Sequence, residues 1–299
     1  MLQELAARRV PIPDSAAPAV AALAPAHRLD GAEPLGRLGS LEVRLACDAK
    51  DVRRAQRLRY RVFYRERSAL GLAAHLLRRD ADEYDAICEH LLVIDNAAGR
   101  ASRAREPDII GTYRLLRQAA AARHGGFYSA REFEIAPLLA RHQGLNFLEL
   151  GRSCVAAPYR NRRTVELLWH GIWRYVLAHE VDVMFGCASL EGSDPRAHAS
   201  ALSYLHHFAA AKDPWTARAL PARRVAMDTL PAGALDLRAV WRDLPPLIKG
   251  YLRIGAQIGD GAVADPHFDT TDVLVVLPVA AIAPRYIAYF GEGAERHAA

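Results

Sequence analysis

Lysine is nearly missing from this 299-residue chain. It stands only at positions 50, 212 and 249, so 36 of the 39 cations are arginine. Arginine meets carboxylates and phosphates through a rigid planar fork, which suits acidic partners. The excess of positive charge is small, +5 against 34 acidic residues. With no RNA-recognition, zinc-finger or helix-turn-helix signature beside it, it gives no case for nucleic-acid binding. Cysteine is also sparse. Cys47, Cys88, Cys154 and Cys187 lie far apart and form no CxxC pair, which excludes a disulfide framework or a cysteine-based metal site and points to a reducing compartment. No apolar run reaches the roughly 18 residues that a transmembrane helix needs. The leading alanine-rich stretch is broken by Asp14, Pro18 and Pro25 and makes a poor signal peptide, so a cytoplasmic protein is expected. Peripheral contact with the inner membrane stays open.

What is present is an ordinary globular composition, 51% hydrophobic and 24% charged, long enough to bury a sizeable core. Five prolines (11, 13, 18, 25 and 34) make residues 1–40 read as a loose arm. LEVRLA at 41–46 alternates like a strand, and Asp48 can cap a helix carrying Val52, Ala55, Leu58, Val62 and Phe63 at helical spacing. Residues 67–86 read as an irregular polar connection, and 127–142 are ambiguous. Strands are expected at 88–95, 109–117, 147–155 and 182–189. Between the last two, a helix over about 164–179 places Val165, Leu168, Trp169, Ile172, Trp173 and Val176 on one face. A helix between strands of one sheet predicts an α/β crossover. Further helices are expected at 197–210, 245–254 and 284–290, with a strand at 272–277. The resulting division is an arm (1–40), a core (41–195), an extension packed on it (196–290) and a tail (291–299).

Four polar clusters interrupt these apolar elements: Arg59 and Arg61, Asp82 and Asp85, Arg114, and Glu149 with Arg152. Each has a structural alternative, namely a solvated helix face, a capped turn, or an ion pair. Trp169 and Trp173 read as core. His206-His207 has no carboxylate or cysteine at ligand spacing, so no metal is expected. Asp265 and Asp269 are either turn residues or part of an acceptor pocket.

Taken together, Arg59 and Phe63, then Asp82, Tyr84 and Asp85, then Gly111 and Arg114, then Glu149 and Arg152 have a spacing that resembles the N-acyl-homoserine-lactone synthases. ELGRSCV at 149–155 with Pro158–Arg160, the LLWHGIWRY block at 167–175 and GCASLEGSDP at 186–195 resemble more closely the ornithine N-acyltransferases that make lyso-ornithine lipid. The resemblance spans about 41–290 and implies a GNAT-type mixed sheet flanked by helices. It also implies attack of the α-amine of ornithine on a 3-hydroxyacyl–acyl carrier protein thioester. No resident cofactor is implied, because the phosphopantetheine arrives with the carrier. Glu149 is then the expected base or ammonium-binding group, with Arg114 and Arg152 holding it or the substrate carboxylate. Arg59, Asp82 and Asp85 are expected to bind substrate, and the backbone at Ser153 and Val155 to meet the oxyanion. Arg163 and Val165 stand where a pyrophosphate loop carries small residues, and Arg160, Arg162 and Arg163 are expected to meet the carrier's phosphate and acidic surface. The competing readings are a homoserine-lactone synthase, an acyltransferase for another amino acid, and a scaffold that binds carrier protein or anionic lipid.

Overall fold

A computed structural model of the chain describes residues 33–67, 69–97 and 108–290. Most of the expected arm, the expected tail and part of the 96–108 connection lie outside the described residues. Among the described residues, nine strands form one sheet: β1 (Gly36–Leu38), β2 (Leu41–Leu45), β3 (Glu89–Asp95), β4 (Asp108–Arg117), β5 (Phe147–Val155), β6 (Val183–Glu191), β7 (Arg224–Val225), β8 (Gln257–Asp265) and β9 (Thr270–Pro278). Their spatial order is β1-β2-β3-β4-β5-β6-β9-β8-β7. All neighbours are antiparallel except β5 and β6, which run parallel. Parallel neighbours require a crossover, and the helix Arg162–Ala178 supplies it.

One face of the sheet carries α1 (Ala49–Tyr60), which starts where the Asp48 carboxylate accepts from the Lys50 and Asp51 amides at 2.8 Å. That cap satisfies amides that the first helical turn leaves without partners. The other face carries α5 (Arg162–Ala178), capped by Asn161 through the Thr164 amide. Leu168, Trp169, Ile172, Trp173 and Val176 bury the expected stripe. Each such side chain contributes roughly 1.5–3 kcal/mol on burial. Val165 departs from the expectation: it is 44% exposed, in the first turn of the helix, where it lines a cavity.

Segments that the sequence left irregular or unassigned are ordered, and the expected loose arm ends in a strand, since Gly36–Leu38 pairs with β2. Residues 67–86 contain α2 (Leu72–Leu77) and a 3-10 turn at Glu83–Ala86. Residues 127–142 contain a 3-10 turn at Tyr128–Arg131 and α4 (Ile135–Arg141), following α3 (Gln118–Arg123). After β6 come α6 (Ala199–Ala209), α7 (Leu237–Asp243), α8 (Pro246–Ile254) and, after β9, α9 (Pro284–Phe290). The segment after residue 195 does more than pack on a core. Its strand β9 pairs with β6 from Val183↔Pro278 to Glu191↔Thr270, so it continues the same sheet. Strand β8, QIGDGAVAD, gives a weak signal because its three polar residues and two glycines mask the alternation.

Candidate active site

The site begins with a fork. Strands β5 and β6 are hydrogen-bonded only from Phe147↔Val183 to Glu149↔Phe185, after which they part. Gly186 stands at the point of divergence. A Cβ there would lie 2.2 Å from the Leu150 carbonyl oxygen, so only glycine allows the two backbones this close. Beyond it, β5 carries an extra residue relative to β4: Thr112↔Cys154 is followed by Arg114↔Gly151. Arg152 sits in this bulge at φ +50°, a left-handed conformation that is rare for a residue with a side chain. Its side chain holds it there. The guanidinium lies 4.7 Å from the Tyr128 ring centre and 4.6 Å from that of Phe268, and it meets Asp80 at 3.3 Å and Asp82 at 3.2 Å.

The fork opens into a cavity of about 1160 Å³, larger than a typical small-ligand pocket. Glu149, Arg114, Arg152, Ser153 and Val155 line it. Leu168, Trp169, Pro246, Leu247 and Tyr286 form an apolar side, and Arg67, Arg160, Arg162, Arg253 and Arg285 also reach its surface.

Period-2 alternation puts Phe147, Glu149 and Gly151 on the α1 face of β5. The Glu149 carboxylate is buried under the Tyr128–Arg131 turn. It accepts the Tyr128 amide at 2.8 Å, the Ser129 amide at 2.7 Å and the Ser129 hydroxyl. Burial raises its pKa above the ordinary glutamate value, although the Ser129 and Tyr128 bonds oppose this. Glu149 therefore takes its bonds from backbone and serine, whereas Arg152 pairs with the aspartates.

The other sequence-singled charges form one buried network. Arg59, fully enclosed, binds Asp80 at 2.8 Å and both oxygens of Asp85 at 2.8 Å. Gln56 adds a bond to Asp85 at 3.0 Å, and Arg114 bridges Asp82 and Asp85. Asp82 also caps the turn that follows it, through the Tyr84 amide at 3.0 Å. Burial acts upward on Asp80 and Asp85, but the surrounding arginines prevail and hold both below the usual carboxylate range. Arg59, Asp82 and Asp85 do not line the cavity; they fix Arg114 and Arg152, which do. Asp80, which sequence reading passed over, joins Arg59 to Arg152 in this network. Its signal is weak because it sits in an irregular segment, five residues before Asp85.

At the mouth, Arg160 bonds the Val155 carbonyl at 3.0 Å and pairs with Glu66, and Arg162 pairs with Glu166. Arg163 is exposed beside Gly39 and stands off the cavity wall. A second group was also missed, apart from Asp265. Glu132, Asp265 and Asp272 are buried together, with carboxylate oxygens within 4.8 Å of one another. Glu132 and Asp272 give no motif, since one lies in a turn and the other reads as the start of an apolar strand.

A family model described as an acetyltransferase (GNAT) domain matches residues 58–170. The L-ornithine N(alpha)-acyltransferase of Agrobacterium fabrum (strain C58 / ATCC 33970) is 54% identical over 262 residues, 87% of this chain and 88% of that protein. The protein of the same name from Rhizobium meliloti (strain 1021) is 52% identical over 263 residues, 88% of each chain. Among solved structures, FeeM, an N-acyl amino acid synthase from uncultured soil microbes, aligns with a TM-score of 0.42 at 9% identity, over 80% of this chain and 91% of that one.

Proposed function

The chain belongs to the L-ornithine N(alpha)-acyltransferase family, and we propose that it transfers a 3-hydroxyacyl group from acyl carrier protein to the α-amine of ornithine, giving lyso-ornithine lipid. Its forked sheet is of the GNAT type. The observation that carries the reading is the cavity itself: a buried carboxylate, Glu149, at the fork, an apolar side, and arginines at the mouth.

The chemistry makes three demands that these groups meet. The α-ammonium must lose a proton before its nitrogen can attack. Glu149, with its pKa raised by burial, takes that proton directly or through one water. The amine nitrogen then attacks the thioester carbon, the C–N bond forms, and the negative charge builds on the carbonyl oxygen. Backbone amides of β5 near Ser153 and Val155, freed from β6 by the fork, stabilise that oxygen. The C–S bond then breaks and the pantetheine thiol leaves with a proton. Holding amine and carbonyl about 3–3.5 Å apart supplies the rest of the acceleration.

The donor's phosphopantetheine carries one phosphate, and Arg160 and Arg162 stand where it would enter. Arg163, exposed outside the cavity, meets the acidic carrier surface instead. Asn161 supports a carrier donor over coenzyme A, because it already occupies an amide at the start of α5 that a pyrophosphate would use. The acyl chain lies along Leu168, Trp169 and Leu247. Among the described residues, no helix is long and apolar enough to cross a membrane. Peripheral contact is supported by α2, where Leu72 and Leu76 are 78% and 76% exposed beside Arg67 and Arg78.

Mass spectrometry of purified protein with 3-hydroxyacyl–acyl carrier protein and ornithine tests the reaction. An ornithine-dependent amide with release of free carrier is expected. A lactone from S-adenosylmethionine, or an amide formed only with another amine, would refute the proposed acceptor.

A further inference from the structure

Glu132, Asp265 and Asp272 take no part in the chemistry above, yet they are buried together in and behind the cavity wall. Strand pairing explains the cluster. Asp272 on β9 lies opposite Ser189 of β6 and Val263 of β8, and Asp265 is two residues beyond Val263, so both aspartates project from the sheet face that carries Glu149. Glu132 comes down onto this face just after the Tyr128–Arg131 turn. Three carboxylates this close, away from water, call for positive charge.

Part of that need is already met. Arg223 reaches Glu132 at 3.3 Å from a partly exposed position, and the Cys187 thiol donates to Glu132 at 3.4 Å. Asp265 Oδ1 accepts the His267 and Phe268 amides at 2.8 and 3.2 Å. Arg152, which acts on Asp272 through its charge, is committed to Asp80 and Asp82. The Ser189 and Thr270 hydroxyls act on Asp272, yet its Oδ1 has no hydrogen-bond partner, and the residue is 6% exposed and lines the cavity. Burial pushes Glu132 up to about 7 and raises Asp272 as well, so both carboxylates gain from an incoming cation.

We propose that Glu132, Asp265 and Asp272 form the subsite for the side-chain ammonium of the amino-acid acceptor and so select a diamino acid. This rests on the acceptor class named under the proposed function. The reacting α-amine must be neutral when it attacks, whereas the side-chain amine stays protonated, and its charge favours the ionised form of the carboxylates it meets. The two ends are linked on one face: Ser129 bonds Glu149, and Cys187 lies 3.4 Å from both the Ser129 hydroxyl and Glu132. A three-carbon chain therefore runs from the base toward the acid cluster past Cys187. A divalent metal fits less well, since Asp265 Oδ1 is spent on two amides and Arg223 already meets Glu132.

The test compares ornithine with norvaline, which has the same carbon skeleton and no side-chain amine. The isosteric variants are Asp272→Asn and Glu132→Gln. Losing one charged hydrogen bond should raise the KM for ornithine roughly 10- to 100-fold. The kcat/KM value should fall much further for ornithine than for norvaline, so the preference for ornithine collapses. Calorimetric titration of ornithine into each variant, with a thermal melt as the folding control, should show the same weakening. If wild type acylates ornithine and both variants keep the ornithine-to-norvaline ratio, the subsite is overturned while the proposed function stands. If wild type acylates no ornithine, both fall. Loss of wild-type activity on dialysis against a chelator, restored by Mg²⁺ or Ca²⁺ but not in Asp272→Asn, would make the cluster a metal site and overturn the proposal.

Discussion

Replacing Glu149 with glutamine removes the buried negative charge while keeping nearly all the volume. Its effect on catalysis and its effect on stability separate. As a general base, the carboxylate contributes about 100- to 10,000-fold to turnover, and Glu149→Gln should lose that factor. The structural effect is smaller. Glutamine offers one acceptor oxygen where the carboxylate offers two, and the site holds three donors: the Tyr128 amide, the Ser129 amide and the Ser129 hydroxyl. One donor left without an acceptor costs about 1–3 kcal/mol. Relief of the burial penalty that raises the Glu149 pKa offsets part of this cost. The variant should therefore fold, bind acyl carrier protein as wild type does, and fail in chemistry. The pH profile gives a sharper signature. A base must be ionised to act, so wild-type kcat should fall on the acid side through a pKa above the ordinary glutamate value of about 4.3, and this limb should vanish in the variant. A folded Glu149→Gln enzyme that keeps more than a tenth of wild-type turnover, with the acid limb intact, would refute the assignment.

Arg59→Met should cost about 3–5 kcal/mol in a denaturant melt, because it leaves Asp80 and Asp85 buried without their shared cation; a loss under 1 kcal/mol would show that the network is not structural. Gly186→Ala should be destabilised by more than the ~1–3 kcal/mol of ordinary overpacking, since the atom opposing the new methyl is backbone; a wild-type melt with wild-type KM would contradict the fork geometry. Glu132 binds its proton more tightly in the folded state than in the unfolded one. Native stability should thus fall by about 3 kcal/mol as pH rises from roughly 4.5 to about 7, and Glu132→Gln should flatten that decline; an unchanged pH–stability curve in the variant would remove Glu132 as its source.

The sequence alone determined the elements whose signal is local. The α5 stripe, the Asp48 cap, the alternation of FLELGRSCV and the apolar run of β6 are all readable, because each reports a period of one element against one packing surface. Motif order carried the family, the fold type and the candidate residues Arg59, Asp82, Asp85, Arg114, Glu149 and Arg152. It did not apportion them. Which carboxylate faces which arginine depends on segments far apart in the chain, and only the tertiary structure decided that Arg152 turns in a bulge toward Asp80 and Asp82 while Glu149 is held by the Tyr128–Arg131 turn. The same holds for the strands beyond residue 195. Strand β8 is too polar to announce itself, and its place is fixed by the long pairing of β9 with β6. The cluster of Glu132, Asp265 and Asp272 is the clearest case: a turn and two strands contribute one carboxylate each, no spacing records their meeting, and sheet register together with the turn that lies on the sheet brings them within 4.8 Å. Periodicity is a property of one segment, whereas a charge site is a property of the space between segments.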